Sequence, residues 1–531
     1  MEAEALVAEG SGALRTGDWA AASRSFTAAL ELEEHPAALA GLADALWWLG
    51  DLAGSMARRE RAYVLLRDVD LVMAAVTALG LCADHWKHVG DEAVTLGWLA
   101  RATRLIEESG LDEVRGWLLL VRSFVGADPV AGESFARAAL DHARSSGDRD
   151  LELCSLSEIG AALVRQGRVG EGLTWLDESM AGSLAGEGSS LDTVVLCSCN
   201  MITSCTQSAE FGRVVEWIRA SDRFTQRYGC PFLYAECRMY YGSVLVATGD
   251  WPRAEEELRA AIEISRGSVP VYQRQALTYL AELRLAQGRV EEAERLVADF
   301  AEHGSAAGVV ARIHLVRGHP SLAVSVLRRR LDEVAAPLES ALLHELFGEA
   351  EIASGQASAA AERGRALVSL DCLVISARGE RLVGRATGDT RALNRALSAF
   401  LKLEMPLEAA RTRMLIAALA EPEVAESEAF TALGVFEELG ASGDADAAAA
   451  LLRSLGVHAA RLGPRGAGAL TKREREVLVL LGEGLSNPAI AARLCLSRKT
   501  VEHHVARVLA KLGLRGRAEA AAEAVRMSAG E

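Results

Sequence analysis

The chain has 531 residues, half of them apolar, and a formal net charge of −16. That length exceeds what one hydrophobic core supports, so two or more domains are expected. There is no run of 18 apolar residues, and the opening, MEAEALVAEGSGALRTGDW, has no basic segment followed by an apolar one; neither a membrane span nor a secretory signal is expected, and a cytoplasmic protein is.

Ala, Leu, Glu and Arg dominate, and only 11 prolines interrupt them, a composition that favours helix throughout. The charge is uneven. From Arg461 onward there are 13 Lys/Arg against 7 Asp/Glu, which leaves 44 against 66 for the rest. A basic end on an acidic body points to an anionic partner, although a solvated charged surface gives the same asymmetry.

Taken in chain order, repetition comes first. An apolar helix, a Gly with a polar residue, and a second helix rich in small residues recur in LRTGDWAAASRSFTAALEL (14–32) and LWWLGDLAGSMARRERAYVLL (46–66). The pattern returns in LVRQGRVGEGLTWLDESM (163–180), LVATGDWPRAEEELRAAIEIS (245–265) and LAQGRVEEAERLVADF (285–300), and more loosely at Gly318, Gly355 and Gly388. Glycine ends the first helix of each unit at positive φ. Small residues let the second helix pack closely, and one such hairpin cannot bury its apolar face alone, so neighbours stack. These segments resemble tetratricopeptide repeats, with irregular spacing and without a full Trp-Leu-Gly-Tyr signature in most copies. A degenerate helical-hairpin solenoid is expected over residues 1–455, with a possible division near 304–308, where EHGSAAG interrupts.

All nine tryptophans and all seven tyrosines fall between Trp19 and Tyr279. They would line a groove or, as is commoner in repeats, fill the core. Asp84, His85 and His88 in CADHWKHVG have a spacing that suits a metal ion, against the plainer reading of a satisfied core. Cys197, Cys199, Cys205, Cys230 and Cys237 cluster in sequence; they read as a thiol sensor or, more simply, as reduced buried thiols. The chain contains no Gly-Lys pair, so no phosphate-binding P-loop is expected. No strand-like stretch precedes residue 456, so no phosphoacceptor receiver domain is expected. No enzyme motif and no cofactor are expected.

Residues 456–469, GVHAARLGPRGAGA, read as a flexible linker. Three helix starts follow in 470–531. Thr471 and Glu474 form a capping box ahead of Val477, Leu478, Leu480 and Leu481. Gly482 and Gly484 end that helix. Ser486 caps a short second helix containing Pro488, Ile490, Ala491 and Leu494, and Ser497 caps a longer third that stops at Gly513. A short helix joined by a tight turn to a longer one is the helix-turn-helix pattern. At 100° per residue, Val501, Val505, Val508 and Leu512 share the buried side. Lys499, His503, Ala506 and Ala510 lie opposite, with Glu502 and Arg507 at the margins and His504 at the edge of the buried side.

This segment closely resembles the LuxR-type DNA-binding domain. The resemblance rests on Leu470, Thr471, Arg473, Glu474, Glu476, Val477, Leu478, Leu481, Gly484, Ser486, Asn487, Ile490, Ala491 and Leu494. It continues through Ser497, Thr500, Val501, His504, Lys511, Leu512, Gly513 and Arg517. It implies a four-helix domain that binds operator DNA as a dimer; with the solenoid read from the repeats, the whole chain is expected to be all-α. The resemblance implies base contacts from Glu502, His503 and Ala506, and phosphate binding by backbone groups near Thr500 and Val501 at the helix start. Asn487, Arg498, Lys499, Lys511, Arg515 and Arg517 are candidate phosphate contacts. Many relatives carry Lys at the position of Glu502. A carboxylate there accepts from cytosine N4 in the major groove, or else points to solvent and pairs with Arg498. In the last helix, Ala518, Ala521, Ala522 and Val525 form an apolar stripe, either a homodimer seam or a cover for the other three helices. The expected partners are double-stranded operator DNA, a second copy, an unknown protein or small-molecule effector at the solenoid, and RNA polymerase if the protein activates. The alternative is a repeat scaffold that binds DNA without sequence preference.

Overall fold

The computed structural model describes residues 2–126, 128–334, 336–457, 472–494, 496, 498–512, 514, 516–517, 519–521 and 524; for Lys472, Lys499, Ala510 and Lys511 it describes the backbone alone. Among these residues there are 28 α-helices and no strand. The chain divides into two compact units, Met1–Ala448 and Ala449–Glu531.

The first unit is a stack of antiparallel helical hairpins, and the sequence explains how each is closed. In the dipeptide Gly50-Asp51, Gly50 takes φ of 89°, a left-handed conformation that glycine adopts without a steric penalty. Gly50 N–H then donates to Trp47 O at 3.0 Å and Asp51 N–H to Leu46 O at 2.9 Å, which ends the helix Pro36–Leu49. The Asp51 side chain at once caps the next helix, Leu52–Leu66, accepting from Gly54 N–H at 2.9 Å. Gly147-Asp148 repeats the device, with Leu151 N–H donating to Asp148 at 2.9 Å. Two adjacent residues thus stop one helix and start another.

Within hairpins the small residues allow backbone contact. A Cβ on Gly160 would stand 2.7 Å from Gly172 O, so the helices Arg149–Arg165 and Val169–Leu184 cross at a separation only glycine permits.

The stretch 298–308 is a pause rather than a break in packing. It forms two short 3₁₀ turns, Ala298–Phe300 and Gly304–Ala306. One apolar cluster, holding Leu285, Val297, Ala306, Val309 and Ile313, runs through it.

The stack also winds back on itself. Trp19 Nε1 donates to Tyr228 O, 209 residues on. Arg274 Nη2 donates to Val89 O at 3.3 Å and Ser442 Oγ to Gln287 O at 2.7 Å, across 185 and 155 residues. The largest buried cluster accordingly draws on distant segments, including Trp19, Trp48, Met201, Phe232, Leu338 and Phe400. Superhelical turns of the solenoid therefore touch. Of the tryptophans, Trp19, Trp48 and Trp251 are buried, and the other six are half-buried.

Candidate nucleic-acid interface

The second unit holds the helices Lys472–Gly482, Asn487–Leu494 and Arg498–Leu512. Gly484, at φ of 80°, closes the first: its N–H donates to Leu481 O at 3.0 Å, and Leu485 N–H donates to Leu480 O at 3.1 Å. Ser486 Oγ accepts from Ala489 N–H at 3.4 Å, a long cap at the start of the second helix. The turn into the third helix is held by Leu496 N–H on Ala491 O at 2.9 Å. Thr471 and Ser497, the other expected caps, lie outside the described residues.

One core joins the three helices: Val477, Leu478, Leu481, Ile490, Val501 and Val508 are buried, with Val505 and Leu512 packed against them. This is the face of Arg498–Leu512 that its periodicity predicts. Arg498, Thr500, Glu502, His503 and Ala506 are exposed, while His504 and Arg507 are half-buried. Val501, expected near phosphate, has its side chain wholly inside, so only its backbone is available for such a contact.

Two pairings bear on the expected contacts. Arg498 Nε donates to Glu502 Oε1 at 3.0 Å, one helical turn apart with both groups exposed. In the free protein, therefore, Glu502 has a partner on its own helix, and a base must compete with an ion pair worth about 0.3–0.5 kcal/mol. Arg517, read from the sequence as a phosphate contact, donates through Nη1 to Asn487 Oδ1 at 2.8 Å and through Nη2 to Leu485 O. It ties the last segment to the start of the second helix and engages Asn487, another expected phosphate contact. Arg473, which carried no role in the sequence reading, donates to Leu494 O at 2.6 Å and pairs with Glu476. The acceptors on Leu485 and Leu494 lie 32 and 21 residues from their arginines, so no local pattern could have revealed either tie.

Residues 517, 519–521 and 524 are helical. Ala520 and Ala524 face the core, and a Cβ on Gly482 would stand 2.7 Å from Ala524 Cβ. Of the expected seam, Ala521 is half-buried, outside that core face. Ala518, Ala522, Val525 and Arg515, and the side chains of Lys499 and Lys511, lie outside the described residues.

In the solenoid, Asp84 is tied to Arg59 and accepts from Trp47 Nε1 at 3.2 Å. Among the described residues no group of three or more His, Cys, Asp or Glu side chains is arranged to hold a metal ion. Burial pushes Cys205 and Cys230 up to about 12 and raises Cys199 and Cys237 as well, which disfavours the reactive thiolate. The exception is Cys197, lowered by hydrogen bonding to Cys154, a residue outside the sequence cluster.

Residues 468–524 match the family model for GerE, described as bacterial regulatory proteins, luxR family. The spore germination protein GerE of Bacillus subtilis is 47% identical over 58 residues, which cover 11% of this chain and 78% of that one. The chain belongs to the luxR family of bacterial regulatory proteins. A putative HTH-type transcriptional regulator of Mycobacterium bovis is 52% identical over 62 residues, 12% of this chain and only 7% of that regulator's length. The luxR likeness is thus confined to the helix-turn-helix domain, whose homologues are DNA-binding transcription regulators. Among solved structures, the APC/C hetero-tetramer Cut9–Hcn1 aligns over 84% of this chain and 96% of its own, at 14% identity and a TM-score of 0.41. So loose a superposition adds nothing, and the repeat architecture rests on the hairpins themselves.

Proposed function

We propose that this protein is a sequence-specific transcription regulator in which the helix Arg498–Leu512 enters the major groove of an operator. The observation that carries this reading is the two-sidedness of that helix. Val501 and Val508 fix it in the core, while Arg498, Glu502, His503 and Ala506 stand exposed on the other side. Glu502, His503 and Ala506 meet base edges; Arg498, Lys499, Lys511, Arg515 and the helix start at Thr500 and Val501 meet phosphate. Arg517 and Asn487 brace one another through the Asn487 carbonyl oxygen, which leaves the Asn487 amide NH₂ as its phosphate donor. The protein binds as a homodimer, for which the stripe at Ala518, Ala521, Ala522 and Val525 is the proposed seam. The solenoid receives the signal, and RNA polymerase is the further partner at activated promoters. The protein works as a regulator rather than an enzyme, in the cytoplasm or nucleoid; no described helix is long and apolar enough to cross a membrane.

Footprinting of genomic fragments with the full chain tests this. A protected site with two-fold symmetry that persists as salt is raised is the expected result. Uniform retention that falls steeply with salt and prefers no sequence supports the scaffold alternative instead.

A further inference from the structure

The first helix of the small domain turns one face to the core and leaves the other uncovered. Val477, Leu478 and Leu481 are buried in the core that the three helices share. Val479, between them, is 50% exposed, the only large apolar side chain among the domain's described residues that stands open to water. A lone exposed valine is ordinary, but this one edges an apolar cleft of about 340 Å³, lined also by Leu480 and Leu494 and by Arg475, Glu476 and Arg493. None of these residues belongs to the proposed DNA contacts or to the proposed seam.

The charges along the same face are ordered. Arg475 lies four residues before Val479 and Glu483 four residues after it, about one helical turn on either side. Glu483 lies just past the helix end, but its N–H still donates to Val479 O at 3.0 Å, so the helical spacing holds through it. All three side chains are exposed. Arg475 has no hydrogen-bond or ion-pair partner among the described residues. Glu483 has a loose pair with Arg493, at 3.5 Å and with both side chains open to water. The face therefore runs cation, apolar knob, anion, with the knob at its midpoint. Such an order is complementary to its own reverse. Two copies of the helix laid antiparallel about a two-fold axis at Val479 set Arg475 of each against Glu483 of the other, and bring the two valines together over the clefts. Laid parallel, they set like charges together.

We propose that this face is a second homotypic interface, through which the helices Lys472–Gly482 of two copies pair antiparallel about Val479. The contact is isologous, so it closes on two copies and does not propagate by itself. It consists of one pair of valines and two exposed ion pairs, far less than a stable dimer in solution requires. Its place is between copies that something else already holds side by side, because tethering raises the effective concentration of one face at the other. That role rests on the reading that the small domain binds operators as a homodimer. With the seam joining copies within a dimer and this face joining neighbouring dimers, occupancy of adjacent operators becomes cooperative. The contact itself needs no DNA.

The test uses the full chain without DNA, so its failure is separable from failure of the operator reading. Val479→Cys is treated with a short bismaleimide, and the yield of covalent dimer is compared with that of the unaltered chain, whose own cysteines set the background. Cross-linking well above that background is expected, with no such gain at Ala489→Cys, an exposed position off the cleft. Adding Arg475→Glu or Glu483→Arg to Val479→Cys is expected to slow the reaction about tenfold, because each change sets like charges together. Mixing these two variants is expected to restore the rate, since each then offers the charge that the other lacks. Every variant is expected to keep the wild-type circular dichroism, the altered positions being exposed. Cross-linking no greater than background overturns the proposal. So do equal rates in all charge variants, the mark of chance collision, and a mixture that does not recover, the mark of a partner other than a second copy.

Discussion

The repeat region and the C-terminal domain are built from the same parts, apolar-faced helices ended by glycine, but they differ in how far apart along the chain their partners lie. The core of the C-terminal domain is assembled from residues 477–524, and its ends, turns and exposed face follow from neighbours a few positions away. In the solenoid each hairpin is equally local, but the turns are held together by bonds such as Trp19 to Tyr228 and Ser442 to Gln287, across 209 and 155 residues. A helical wheel captures the first kind of order and is blind to the second. The regions should therefore fail differently when damaged: the domain as a small cooperative unit, the solenoid by losing the contact between its turns while its hairpins persist.

The largest effect is expected inside the small domain. Val501→Asp places an unpaired charge at a fully buried position of the core, costing about 4 kcal/mol. Operator binding should vanish while the main thermal transition of the solenoid stays within a degree or two, as read by gel shift and calorimetry. A common shift of both would break the division. Next comes Trp19→Ala, which removes the bond to Tyr228 and the stack on Trp48 at 4.4 Å, at a cost of about 3 kcal/mol. Small-angle scattering should report a larger radius of gyration with nearly unchanged helix content. An unaltered radius would mean that the turns are held elsewhere.

A smaller, pH-dependent effect belongs to Glu255. Hydrogen bonding from Arg284, with Arg259 beside it, holds its carboxyl down at about 2. The folded pKa lies below the unfolded one, so the stabilisation is fully present above about pH 4.5 and is lost as pH falls towards 2. Its size is on the order of 2 kcal/mol, Glu255 being partly exposed. Thermal melts of Glu255→Gln and of the unaltered protein should differ at pH 6 and converge near pH 2; a constant gap would remove the ion pair from the explanation.

How much was legible follows the same division. The hairpins could be read because Gly50-Asp51 and Gly147-Asp148 carry both a helix stop and a helix cap within two residues. The buried and exposed faces of Arg498–Leu512 could be read from the spacing of its valines. The π-turn His85–Val89 could not, because nothing in CADHWKHVG distinguishes one extra residue per turn from a regular helix. The charge that makes Arg517 a candidate phosphate contact is visible in the sequence, whereas its acceptors on Leu485 and Asn487 become visible only when the chain is folded. Cys197 falls among the clustered cysteines in sequence, but in the fold its Sγ lies between Ser179 Oγ at 3.0 Å and Leu153 O at 3.8 Å, on two neighbouring helices.

On the proposed reading the exposed side of Arg498–Leu512 carries the sequence preference, and Glu502 is its sharpest point. Its bond to Arg498 at 3.0 Å is weak enough for a cytosine amino group to displace. Selection from a randomised operator library, with the unaltered protein and Glu502→Lys in parallel, measures this directly. The expected result is a change of preference at one base pair, worth about 1–2 kcal/mol, with the other positions and the melting of the domain unchanged. Identical preference profiles for the two proteins would contradict the claim and leave Glu502 as one half of a solvated ion pair.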